Sequence, residues 1–105
     1  MHGAIYMIEY FDENGLSLGE KPILIVSNDG RNAQLDNYLA VRITTSQPIP
    51  GVRAQVPRER GPAVGRARCD DILIVYLDEL KRHLGNISIL DLQNVDEGLR
   101  AALAL

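Results

Sequence analysis

The chain has 105 residues, a net charge of −3, one cysteine and two histidines. That length supports one core and not two, the lone Cys69 rules out an internal disulfide and a cysteine-based zinc site, and His2 and His83 are too few to hold a metal unaided. No apolar run approaches the roughly 20 residues that cross a bilayer and no basic-then-apolar leader opens the chain, so one cytoplasmic domain over residues 1–105 is expected, with no metal, cofactor or membrane contact.

Residues 3–11 alternate in part, with Ala4, Tyr6, Ile8 and Tyr10 on one side and Ile5, Met7 and Glu9 on the other, which predicts a first strand. Residues 12–20 (DENGLSLGE) are polar and contain two glycines, which predicts a mobile flap longer than a tight hairpin turn. Residues 21–28 (KPILIVSN) are continuously apolar between Lys21-Pro22 and Asn28-Asp29-Gly30. Consecutive rather than alternate apolar residues suit a central strand buried on both sides. Its interior is then closed to chemistry, and active groups belong at its ends, where Lys21 enters and Asn28 leaves.

Residues 29–37 predict a turn with one helical turn, and residues 38–46 (YLAVRITTS) a β-branched strand. Its alternation sets Leu39, Val41 and Ile43 against Tyr38, Ala40, Arg42 and Thr44. At the strand's end, before Gln47-Pro48, parity does not decide between Thr44 and Thr45. Pro48, Pro50 and Gly51 predict a turn, residues 52–56 a short strand, residues 57–62 a charged turn, and residues 63–76 two short strands or one bent one. Several short strands separated by turns point to a small barrel. Residues 42–68 hold six basic side chains and one acidic, a local charge of +5 between two segments of −4. That basic middle is a footprint suited to phosphates.

In the last third Leu77, Leu80 and Leu84 recur at helical spacing before Gly85, which predicts a short helix carrying His83. Ser88 then caps a longer amphipathic helix whose stripe is Leu92, Val95, Leu99 and Leu103. Cys69 reads as a small apolar residue at a strand edge.

In chain order, the G-x-I-Y strand, the basic residue before P-x-L-I-V-S-N-D, the V-R-I-T-T-S-Q strand end, C-D-D-I and L-x-x-x-L-G-x-I-S ahead of a terminal helix resemble the MazF/PemK toxins over essentially the whole chain. The resemblance implies a mainly β protein with α, a small SH3-like barrel of the CcdB/PemK-like fold with a short helix and a C-terminal amphipathic helix. It also implies a homodimer that cuts single-stranded RNA at a short sequence without a metal and is inhibited by a MazE-like antitoxin. Cleavage would run by attack of the 2′-hydroxyl, leaving 2′,3′-cyclic phosphate and 5′-hydroxyl ends.

The family pattern places an arginine before the proline of the central strand and a threonine at the end of the next long strand. Carried over, these become Lys21 and Thr45 as catalytic residues. Lysine there departs from the commoner arginine and supplies a point charge instead of a two-pronged grip, with Arg42 the candidate to make up the difference. Ser17, Asn28, Arg31, Arg42, Ser46, Gln47 and Arg53 are the candidate RNA contacts, and Tyr10 or Phe11 the candidate base-stacking rings. The antitoxin would be an acidic segment competing for Arg42, Arg53, Arg66 and Arg68. The alternative implied by the same resemblance is a binder without catalysis, either a gyrase-poison-like toxin or a decayed one that holds only RNA or antitoxin.

Overall fold

The structure, a computed structural model, describes residues 1–45, 55–58 and 65–105, the second of these as backbone only. Expectations for Ser46, Gln47, Arg53 and the Pro48–Gly51 turn lie outside the described residues. Six strands, β1 (Ala4–Phe11), β2 (Ser17–Ile25), β3 (Asn37–Thr44), β4 (Gln55–Arg58), β5 (Gly65–Tyr76) and β6 (Arg82–Asn86), join two helices, α1 (Asp29–Asn32) and α2 (Ile89–Leu103). The strands form one antiparallel sheet in the order β4-β5-β3-β2-β1-β6.

The apolar run of β2 holds the middle of this sheet. Ile23, Leu24 and Ile25 are all fully buried, and the pleat sends Leu24 to one face and Ile23 and Ile25 to the other. Two cores result. Ile5, Leu24, Val41, Ile43, Ala67 and Cys69 meet Val95 of α2 on the first face. Ala4, Ile8, Ile23, Ile25, Tyr38, Ala40 and Val75 make the second. The Ser88 hydroxyl accepts from the Asp91 amide at 3.1 Å and starts α2 as expected, and Val95 and Gly98 are its buried residues.

Four local expectations are corrected. The expected flap is shortened, because β2 begins at Ser17 and takes in residues 17–20, so Lys21 stands inside β2 opposite Ile8 and not at its entrance. Only residues 12–16 turn, tied by the Asp12 carboxylate, which accepts from the amides of Asn14 and Leu16 at 2.8 and 2.9 Å. The helical spacing of Leu77, Leu80 and Leu84 was misleading. A single 3-10 turn (Leu77–Glu79) is followed by β6, since pairing with β1 outweighs a weak local helix preference. His83 therefore lies on a strand, stacked on Tyr6 with ring centroids 4.8 Å apart. Finally, Pro57 and Arg58 belong to β4 instead of a turn, whereas residues 65–76 take one of the two forms expected for them, a single strand bent by a bulge.

That bulge has a definite place. On β3, Val41 pairs with Ile72 and Ile43 with Ala67, so the single residue Arg42 is opposed by a longer stretch of β5 that contains Arg68, Asp70 and Asp71. Extra residues on one strand increase twist and turn side chains toward a new direction. Here they bring the Asp71 carboxylate beside Arg42.

Candidate active site

Strand pairing decides which of the polar side chains share a surface. Arg42 pairs with Ile23, Ile8 with Lys21, Tyr10 with Gly19 and Thr44 with Arg66. Residues directly opposite in an antiparallel ladder share a face, as do residues two apart along a strand. Tyr10, Lys21, Arg42, Thr44 and Arg66 therefore all stand on the face of the second core, away from α2. The β2–β3 ladder runs from Ile25–Ala40 to Ile23–Arg42, and Lys21 on β2 and Thr44 on β3 each stand two residues past its last pair, on the same face. Thr45, the expected catalytic threonine, lies past the end of β3 and is exposed.

Arg42 is held from two sides. Its Nε lies 3.0 Å from Asp71 Oδ2, and its guanidinium carbon lies 4.5 Å over the centre of the Tyr10 ring. The cation is thereby oriented without being buried, and a cation on an aromatic face contributes about 0.5–1 kcal/mol at exposed sites. Farther along β5, Arg68 pairs with Asp70 at 3.3 Å, which holds the Asp70 carboxyl below its ordinary range. Burial raises the Tyr10 phenol above its usual value, opposed by the Arg42 charge and helped by that of Asp71. The phenol stays protonated at neutral pH.

Gly65 fixes where β5 meets the end of β3. Its φ is +142°, and a Cβ built there would stand 2.5 Å from the Thr44 carbonyl oxygen. Only glycine allows that approach. Its importance was invisible in the sequence, because it depends on which residue faces Gly65 across the ladder.

Two expected contacts have structural duties elsewhere. The Asn28 side chain caps α1 by accepting from the Arg31 amide at 2.8 Å, and Arg31 reaches the Asn37 carbonyl at 3.0 Å and its side-chain oxygen at 2.7 Å. Asn37 opens β3 and Thr44 closes it, a separation of roughly 23 Å at the usual rise of a strand. Asn28 and Arg31 are thus not gathered with Lys21 and Thr44. Ser17 stands at the hairpin, its hydroxyl accepting from the Gly19 amide at 3.1 Å.

Comparisons with known proteins agree on one relationship. Residues 1–103 match the family model described as PemK-like, MazF-like toxin of type II toxin-antitoxin system. The chain is 36% identical over 106 aligned positions to Endoribonuclease MazF1 of Mycobacterium bovis and equally to Endoribonuclease MazF4 of Mycobacterium tuberculosis, covering all of this chain and 93% of each relative. Among solved structures, a mycobacterial endoribonuclease in complex with its cognate antitoxin superposes with a TM-score of 0.86 at 30% identity, covering all of this chain and 95% of that one. A MazE-MazF structure from Deinococcus radiodurans gives a TM-score of 0.78 at 17% identity over 99% of this chain and 95% of that one, a likeness of fold.

Proposed function

The chain belongs to the PemK-like, MazF-like toxins of type II toxin-antitoxin systems, and from that premise we propose that its RNA-cleaving centre is the sheet face carrying Lys21, Thr44 and Arg42. The protein is a MazF-type toxin endoribonuclease. The observation that supports the site is the β2–β3 register, in which Lys21 and Thr44 follow the last pair, Ile23–Arg42, on the face that carries the oriented Arg42 guanidinium.

Those groups suit phosphodiester cleavage by the RNA's own 2′-hydroxyl. Its oxygen attacks phosphorus, the bond to the 5′-oxygen breaks, and a 2′,3′-cyclic phosphate and a 5′-hydroxyl remain. The attacking hydroxyl gives its proton to solvent water, and the departing oxygen takes one, for which the Lys21 ammonium is the donor at hand. Lys21 and Arg42 oppose the charge that grows on the phosphoryl oxygens, and Thr44 donates a hydrogen bond to one of them. A threonine hydroxyl is too weak an acid to serve as the base. Metal-independent action on single-stranded RNA by a cytoplasmic homodimer belongs to the same proposal, as does restraint by an acidic MazE-like antitoxin segment lying over Arg42, Arg66 and Arg68.

The test is incubation of the purified protein with a long single-stranded RNA in EDTA, with mapping of cut positions and end groups. Discrete cuts bearing cyclic-phosphate and 5′-hydroxyl ends are expected, retained by Thr45→Ala and lost in Thr44→Ala. The reverse pattern would return the role to Thr45.

A further inference from the structure

Of the eleven basic side chains, nine are arginines and two are lysines, Lys21 and Lys81. The two kinds of cation differ in reactivity as well as shape. A guanidinium keeps its proton and its charge, whereas a lysine amine that has given up a proton is a nucleophile, and its acylation removes the charge for good. The proposed cleavage centre thus has a single amine at the position on which cleavage depends most, while Arg42 and Arg66 on the same face are inert to acyl donors.

The surroundings of Lys21 leave that amine open to reaction. Its side chain is exposed, and among the described residues its ammonium enters none of the ion pairs, which join Met1 to Asp29, His2 to Asp96, Arg42 to Asp71 and Arg68 to Asp70. Glu20, next to it in the chain, is turned by the pleat toward the opposite face. Arg42 and Thr44, which suit the scissile phosphate, stand on the face of Lys21, so a reagent that carries its own phosphate meets groups already fitted to one. Lys81 is also exposed but follows Asp78 and Glu79, whose carboxylates repel such a reagent.

We propose that Lys21 is a site of acylation by acyl phosphates, and that the modification turns the nuclease off. The phosphate of the reagent is held where the scissile phosphate otherwise lies. Lys21 gives one proton to water, its nitrogen lone pair attacks the acyl carbon, and the bond from that carbon to the phosphate oxygen breaks with its electrons on the departing phosphate. A second proton then leaves the nitrogen for water. The neutral amide that remains neither opposes charge on the phosphoryl oxygens nor supplies a proton to the departing 5′-oxygen. An arginine at this position would be immune, so lysine makes this centre responsive to the supply of activated acyl groups. This rests on the endoribonuclease reading.

The experiment treats the purified protein with acetyl phosphate, maps acetylation by peptide mass spectrometry and reads cleavage of a long single-stranded RNA. Cleavage is expected to fall in proportion to the fraction of Lys21 acetylated, with fully modified protein about a hundredfold or more slower. Inorganic phosphate in excess should slow the modification of Lys21 and not that of Lys81. Lys81→Arg should lose activity on treatment as the wild type does, and Lys21→Arg, compared with its own untreated sample, should keep whatever activity it has. Protein made with Nε-acetyllysine in place of Lys21 should be inactive yet unfold like the wild type, which separates the effect from a loss of folding. Acetyl groups found on Lys81 with Lys21 untouched, or full cleavage by protein acetylated at Lys21, overturns the proposal while leaving an active nuclease. Untreated wild-type protein that leaves the RNA intact overturns the nuclease reading, and this proposal with it.

Discussion

Under α2 the sheet presents Ile5, Leu24, Val41, Ile43 and Cys69, all shut away from water, whereas the opposite face begins apolar at Ile25, Ala40 and Val75 and ends in Lys21, Arg42 and Thr44. The same strands build both faces, separated only by the alternation of the pleat. One face has a helix to cover it and is committed to stability. The other needs apolar residues only as far as its core extends, and past that point the strands project charges and a hydroxyl into the open. A substitution should therefore affect activity or stability according to its parity and its distance from the core.

The sharpest break of that division is Lys21→Ala, expected to lower cleavage by about a hundredfold or more while leaving the melting curve in place, since Lys21 is exposed. A comparable loss of stability from this change would show that the two faces are not separable. Next comes Leu24→Ala, three residues along β2 and on the other face. Its cavity should cost about 2–5 kcal/mol in urea unfolding, with cleavage by the remaining folded protein close to normal.

Gly65→Ala falls between the two classes, because its new Cβ meets the Thr44 carbonyl. A loss of about 1–3 kcal/mol is expected together with slower cleavage, as the backbone that carries the Thr44 hydroxyl is pushed aside. Stability lost with cleavage intact would separate Gly65 from the site.

The smallest effect concerns Cys69, buried against the Val95 carbonyl at 3.7 Å. Burial, helped by the charge of Asp70, lifts its thiol from 9.0 to about 11. The folded state then holds the proton more tightly than the unfolded one, so this contribution is complete below pH 9 and is lost as pH rises through about 11. Denaturation measured across that range should show a shallower decline for Cys69→Ala than for the wild type.

How much of this was readable in advance varied with the range of the interaction. The β2 run, the α2 cap at Ser88 and the one-turn helix after Asn28 depend on neighbours within a few residues, and all were legible. Leu77, Leu80 and Leu84 misled, because the partner that makes a strand of residues 82–86 is β1, about 75 positions away. The flap misled for a similar reason. Polar residues and glycines look like loop until an opposing strand supplies the pairing that makes β2 of them.

By itself the sequence determined the mainly β plan, the apolar strand at its centre, the closing helix and a basic middle segment, because these follow from local periodicity, capping and charge count. Tertiary structure alone decided that Lys21 and Thr44 share the face of Arg42, that Asp71 and Tyr10 hold Arg42, and that Gly65 abuts Thr44. Each depends on the register between strands and on a bulge in β5, and register is set by packing across the sheet, which no single strand's residues encode.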